Sequence, residues 1–300
     1  MSRHEWDTLP EGVRNAVEQH CGGHIINAEA PEMGCSSEFS ATLHLNGGAV
    51  FCKGIQVDHP NAWMHRNEAA VNHLLPHGLA PRLLWQTETD GWLILGFEHA
   101  PGRHPDLSPS SPDLAPVAET VTTLQQMTSS AVPNRSIAAR WARLPVWQQY
   151  AQDPPDDLDP WEQENLPRLA ELEATAHELL DGDALLHTDL QPGNLLINDG
   201  EIVVIDWAWA SRGAPWIDPA FMVIRLMAAG HSPESAESWA REIPAWQAAP
   251  AAAVTAFAAT VLGLWGHKTR SPSARAHSAR LTAVARDWAR HRLKATWPGA

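Results

Sequence analysis

Short runs in which apolar and polar residues alternate fill the first third of the chain. His24–Ala30, Glu38–Leu45, Gly48–Gly54, Arg82–Thr87 and Gly91–Phe97 read as strands, separated by turn signals such as Asn46-Gly47-Gly48 and Thr89-Asp90-Gly91. One segment there has helical spacing instead, Ala62–Leu75, and Pro76-His77-Gly78 stops it. After Ala100-Pro101-Gly102 the pattern changes. A Pro/Ser-rich stretch, Pro105–Pro112, leads into helical segments over Asp113–Met127, Ile137–Tyr150 and Pro160–Leu180. Leu195–Asn198 and Glu201–Ile205 flank Asp199-Gly200, a two-residue hairpin signal, and helical spacing resumes from Trp216. Strands first and helices second predict an α+β protein of two lobes rather than a parallel α/β sheet. The expected division is a β-rich N-lobe with one main helix over residues 1–98 and a helical C-lobe over 99–300.

Composition narrows the class. With 300 residues, 44% of them hydrophobic, the chain is long enough for two lobes. The longest apolar run, Val254–Trp265, is too short to span a bilayer, and Met1–Pro10 lacks the pattern of a signal peptide. Cys21, Cys35 and Cys52 are odd in number and form no CxxC pair. No membrane partner is expected, and a cytoplasmic protein with reduced thiols is the reading. The net charge of −14 argues against nucleic acid as a partner and is compatible with a cationic ligand. Among sixteen histidines, His20 and His24 have helical spacing but straddle Gly22-Gly23, so zinc is not expected. Most of the fifteen tryptophans should be core residues, with one or two left to stack on a ligand ring.

The chemistry concentrates in His187-Thr188-Asp189-Leu190-Gln191-Pro192-Gly193-Asn194, followed after the hairpin by Ile205-Asp206-Trp207. Phosphoryl transfer asks a protein for a carboxylate that takes the proton of the attacking hydroxyl, and for oxygen ligands to magnesium. Asp189, on a loop, suits the first role. Asn194 offers a neutral oxygen and Asp206 an anionic one, and hard magnesium prefers such ligands. The GxxxxGK[ST] motif of P-loop kinases does not occur.

The spacing matches the catalytic-loop pattern H-x-D-L-x-x-x-N, with Thr188 where protein kinases carry Arg. In these residues the chain resembles the aminoglycoside phosphotransferase-type family of small-molecule kinases, which share the bilobal protein-kinase-like fold. The resemblance runs from about His24 to about Leu226. It implies Asp189 as catalytic base, Asn194 and Asp206 as magnesium ligands, and ATP or GTP as phosphate donor. It also implies that Lys53, ending the strand Val50-Phe51-Cys52-Lys53, holds the nucleotide phosphates through an ion pair with Glu68 on the early helix. Alternation sets Phe51 on the same face as Lys53, against the base. Pro31–Ser37 lies where the family has its nucleotide loop, and the resemblance implies that Ser36 and Ser37 meet phosphate there. The resemblance further implies that Phe97, Glu98 and His99 form a hinge that meets the adenine edge through its backbone.

Two departures shape the expectation. Thr188 removes the arginine that reads activation-loop phosphorylation, and Trp207 and Trp209 replace the Phe-Gly of protein kinases, which points to a fixed enzyme without a switch. In Gly213-Ala214-Pro215-Trp216-Ile217-Asp218, Ala214 replaces the first Asp of the family's segment, and Asp218 is expected to brace the catalytic loop. The reading is a magnesium-dependent phosphotransferase acting on a small-molecule hydroxyl, with an antibiotic such as an aminoglycoside as acceptor. A metabolic kinase of an amino sugar or amino alcohol, and a nucleotide-binding pseudokinase scaffold, are the alternatives. Oligomeric state stays open. The acidic segment Asp153–Glu162 is read either as part of the acceptor site's wall, with Trp161 as a stacking face, or as a solvated acidic connector between two helices.

Overall fold

The computed structural model describes residues 4–31, 37–128, 135–272, 274 and 278–296, apart from the side chains of 295 and 296. Helix α1 (Glu11–Cys21) precedes strands β1 (Asn27–Glu29), β2 (Phe39–Leu45) and β3 (Gly48–Gln56). Helix α2 (Ala62–Asn72) and strands β4 (Leu83–Thr89) and β5 (Trp92–Glu98) follow. Helices α3 (Leu114–Leu124), α4 (Ile137–Trp141), α5 (Val146–Gln152), α6 (Pro160–Glu164) and α7 (Leu166–Leu179) lead to strand β6 (Ala184–Leu186). A hairpin of β7 (Leu195–Asn198) and β8 (Glu201–Val204) comes next, then β9 (Ser211–Gly213) and α8 (Ile217–Ala228). The chain ends in α9 (Pro233–Ala240), α10 (Pro244–Ala248), α11 (Ala251–Arg270) and α12 (Ser278–Thr296).

The chain divides into two compact units, 1–105 with 191–210, and 106–190 with 211–300. The first contains an antiparallel sheet in the order β1-β2-β3-β5-β4. Because side chains alternate along a strand, each strand serves two faces. Phe39, Leu43, Cys52, Trp92 and Ile94 pack on Val13 and Val17 of α1. Phe51, Ile55, Leu93, Leu95 and Phe97 pack on Ala62 and Ala69 of α2. Lys53 alternates with Cys52 onto the α2 face, which decides where its charge must be met. The β7–β8 hairpin joins this unit although it lies far along the chain. Arg103 and Ile197 exchange backbone hydrogen bonds of 3.1 and 2.8 Å, and the Val204 N–H donates to the Leu79 carbonyl at 2.8 Å. Asp199 and Gly200 at the hairpin tip have φ of 50° and 87°, the left-handed pair that a two-residue turn requires.

In the second unit Phe257 of α11 is an aromatic hub. The rings of Phe221, Trp141, Trp216 and Trp288 lie 5.1, 5.3, 5.7 and 6.1 Å from its own. Trp147, fully buried, donates its indole N–H to the Ala259 carbonyl at 2.7 Å. The strand β6 pairs with β9. Among the described residues no helix is long and apolar enough to cross a membrane.

Three elements differ from the expected pattern. Helix α1 is additional, its apolar stripe being only Val13 and Val17, closed by left-handed Gly22. The helix expected over Ile137–Tyr150 is two helices, because Pro145 lacks the N–H that would continue the ladder. The helix expected over Pro160–Leu180 is broken at Asn165, just ahead of Pro167.

Gly102, next to the Arg103–Ile197 pairing, has φ of 152°, and a Cβ built there meets the Ile197 carbonyl oxygen at 2.8 Å. Gly102→Ala is expected to destabilise the protein by about 1–3 kcal/mol, since neither backbone can move aside without breaking that pairing. Gly47→Ala, where a Cβ meets nothing within 4 Å, is the control. Thermal unfolding of the two variants checks this: only Gly102→Ala should melt early.

Candidate active site

The first unit gathers its charges around one ammonium. Lys53, 6% exposed, forms an ion pair with the buried Glu68 of α2, and its Nζ lies 2.9 Å from Asp206 Oδ1. Burial alone would pull the lysine down, but Asp206 and Glu68 outweigh it and hold Lys53 above its ordinary range. Glu68 moves the other way. Burial pushes its carboxyl up to about 7, and Asp206 adds repulsion that Lys53 only partly offsets. The two directions describe one arrangement, in which two carboxylates share a single cation. Both carboxylates act on the lysine in the same sense.

Asp206 sits at the end of the hairpin with left-handed backbone (φ 62°, ψ 60°), a conformation that Asp tolerates better than most residues. The chain then turns through Trp207–Trp209 against α2. The Trp207 N–H donates to Glu68 Oε1 at 3.2 Å, and the Asn67 amide donates to the carbonyls of Ala208 and Ala210, both at 3.1 Å. Trp63 meets Trp209 edge to face at 5.2 Å. Residues 63, 67 and 68 share one side of α2, so this face fastens the helix to the segment after Asp206. Asn194, 5% exposed, is set in the same unit by its carbonyl, which accepts the Ile205 N–H at 2.9 Å.

The remaining candidates of this unit fall into place unequally. Phe51 and Phe97 are direct cross-strand partners in the cluster on the α2 face, and Lys53 Nζ lies 5.6 Å from the Phe97 ring centre. The Glu98 side chain pairs with Arg82, while the Glu98 N–H donates to the Arg82 carbonyl at 2.9 Å. His99 is exposed. The Ser37 hydroxyl meets His65 Nε2 at 3.0 Å, and Ser36 lies outside the described residues. As for a metal, no group of three or more His, Cys, Asp or Glu occurs among the described residues that would hold an ion alone. Asn194 and Asp206 fit the donor set of magnesium, which binds through one or two protein oxygens plus substrate phosphates.

The second unit builds the loop that carries Asp189. Strand β6 runs into His187, and Asp218 in the first turn of α8 accepts the N–H groups of His187 and Thr188, both at 2.8 Å. These bonds hold Thr188 at φ 61°, a conformation costing a β-branched residue about 1–2 kcal/mol. Burial pushes the Asp218 carboxyl up to about 6, against the pull of those two N–H groups. The Asp189 N–H donates to His187 Nδ1 at 3.2 Å, leaving its carboxylate partly exposed. Arg225 Nη2 reaches Asp189 Oδ1 at 3.3 Å, while its Nε donates to the Leu190 carbonyl at 3.2 Å and its guanidinium lies over Trp265. Arg140 donates to Ser211 Oγ at 3.3 Å and lies within 3.5 Å of Thr188 Oγ1, and burial pulls it down to about 10. Arg225 and Arg140 were not among the expected residues. Arg225 follows Asp218 by seven, two helical turns, so spacing alone places both on one face of α8.

The acidic segment is ion-paired. Asp157 pairs with Arg270, Asp159 with Arg286 and Arg290, and buried Glu162 with Arg286. Trp161 carries the Arg290 guanidinium over its ring. These carboxylates and this indole tie the segment to α11 and α12.

The sequence profile of the phosphotransferase enzyme family matches residues 55–257. A comparison by sequence with curated proteins finds no match. Among solved structures, an aminoglycoside phosphotransferase from Alicyclobacillus acidocaldarius is similar with a TM-score of 0.61 at 14% identity, covering 90% of each chain. A choline kinase from Streptococcus pneumoniae gives 0.59 at 13%, covering 93% of this chain and 99% of its own. An aminoglycoside phosphotransferase from Streptomyces rimosus, in complex with ADP and streptomycin, gives 0.53 at 15%, covering 94% and 99%. These likenesses establish the protein-kinase-like fold. With its profile match spanning both the Lys53–Glu68–Asp206 cluster's helix and the Asp189 loop, the chain belongs to the phosphotransferase enzyme family.

Proposed function

We propose that the protein moves the γ-phosphate of ATP, with GTP as the alternative donor, onto a hydroxyl of a small molecule. The observation that carries this is the buried ammonium of Lys53 fixed between Glu68 and Asp206. A cation held this firmly costs no reorganisation when phosphate arrives. Lys53 takes the nucleotide phosphates, and Glu68 keeps its Nζ in place. Asn194 and Asp206 would hold magnesium, which neutralises phosphate charge when bound. The acceptor oxygen attacks the γ-phosphorus, the bond to the bridging oxygen breaks, and the nucleoside diphosphate leaves. Asp189 takes the hydroxyl proton. Arg225 fixes the orientation of the Asp189 carboxylate, and Asp218 fixes the loop that presents it.

The acceptor is a hydroxyl-bearing small molecule, and an antibiotic of the aminoglycoside kind is the class we favour. The streptomycin bound by the Streptomyces rimosus relative supports that class, and choline, the substrate named for the Streptococcus pneumoniae relative, stands beside it in a first panel.

Asp189→Ala should leave nucleotide affinity unchanged and lower kcat about 10²–10⁴-fold, because the carboxylate acts on the acceptor proton alone. Steady-state kinetics with the accepted substrate, beside nucleotide titration, checks this, and wild-type turnover would contradict it.

Asp218 yields a pH signature. Its folded value of about 6 exceeds the ordinary 3.8, so the folded state binds the proton more tightly than the unfolded one. The stabilisation is complete below pH 3.8 and is lost as pH rises through 6. The melting temperature of wild type relative to Asp218→Asn should therefore be most favourable near pH 4 and shrink by pH 7. A difference that grows over this range would contradict the assignment.

A further inference from the structure

His65 is a polar residue that the reading above does not use. It lies on α2, three residues before Glu68, and is 2% exposed. Its Nε2 is 3.0 Å from the Ser37 hydroxyl, and its Nδ1 is buried with no hydrogen-bond partner. One helical turn ahead of Glu68, the ring feels the charges of both Lys53 and Asp206. Burial, with Lys53 next to it, drives the imidazole down to about 3 and keeps it neutral near pH 7.

A neutral imidazole has one N–H and one lone pair, and the two tautomers place them differently. With the proton on Nδ1, an N–H would be buried without an acceptor, and Ser37 would have to spend its hydroxyl proton on Nε2. With the proton on Nε2, the N–H donates to Ser37 Oγ and only a lone pair is left unmatched. A buried N–H without a partner is rarer, and costs more, than an under-used acceptor. Ser37 then keeps its own proton to give away. We propose that His65, as the Nε2–H tautomer, is a positioning residue that fills one lone pair of Ser37 Oγ and turns the Ser37 hydroxyl proton toward a nucleotide phosphate oxygen. The inference rests on the phosphotransferase reading and adds to it a donor supplied through α2, the helix that also carries Glu68. One helix thereby sets both the lysine and the serine that face phosphate.

Calorimetric titration of ATP and AMP into wild type, Ser37→Ala, His65→Leu, His65→Gln and the Ser37→Ala/His65→Leu double variant tests this. Ser37→Ala and His65→Leu should each weaken ATP binding about tenfold, as for loss of one hydrogen bond to a charged group. AMP, which lacks the β- and γ-phosphates, should bind all variants alike. The double variant should be no worse than either single one, and His65→Gln, which restores an N–H donor, should recover most of the loss. Three results would each overturn the proposal: ATP binding by His65→Leu equal to wild type, losses that multiply in the double variant, or an equal loss for AMP. If His65→Leu does not fold, Ser37→Ala and His65→Gln still decide, because the first must lose ATP affinity and the second must keep it. Wild-type protein that binds no ATP would overturn the proposed function itself, whereas normal ATP binding with no effect at His65 overturns this inference alone.

Discussion

A buried ammonium is the constraint on which the first unit depends. An unpaired charge cannot be left in a protein interior, and removing one partner of a buried ion pair typically costs about 3–5 kcal/mol. The alternation of β3 forces Lys53 inward on the α2 side, so the chain must bring carboxylates to it. One comes from α2 as Glu68, the other from residue 206, beyond the hairpin. Distant parts of the sequence are joined because a single cation needs both. Asn67, Trp63 and the Trp207 N–H then secure the joint. Moving α2 outward would break the ion pair, three hydrogen bonds and an aromatic contact together.

The second unit solves a different problem with the same economy. A loop that exposes a carboxylate must leave backbone N–H groups without strand partners, and here one buried aspartate, Asp218, receives two of them. The left-handed Thr188 is tolerated because those bonds specify it. Arg225 sits two turns further along the same helix, so α8 supplies both the brace for the loop and the contact to Asp189. A helix that is buried along most of its length can position both groups rigidly.

What could be read in advance was set by distance along the chain. The two-faced strands, the early helix and the hairpin are local patterns, and the α+β architecture followed from them. Lys53, Glu68 and Asp206 were recognisable by order and residue type, and the structure brings those three together. Arg225, Arg140 and His65 were not recognised, since an isolated arginine or histidine in a helix ordinarily reads as a solvated side chain. Only packing shows that His65 is buried and that the two arginines are half-buried. The ion pairs of the acidic segment were not legible for the same reason. Its arginine partners lie 113 to 131 residues away, beyond any local pattern. Pro145 and Asn165 show the opposite failure, where helical spacing continued across a break that chain chemistry imposes.

In the proposed function, Asp206, the carboxylate that shares the buried ammonium, also serves the metal–nucleotide complex. Titration of ATP into wild type and Asp206→Asn, with and without magnesium, tests it most directly. Magnesium should strengthen ATP binding to wild type and have little effect on Asp206→Asn, which has lost the anionic ligand. The same magnesium dependence in both proteins would contradict the account.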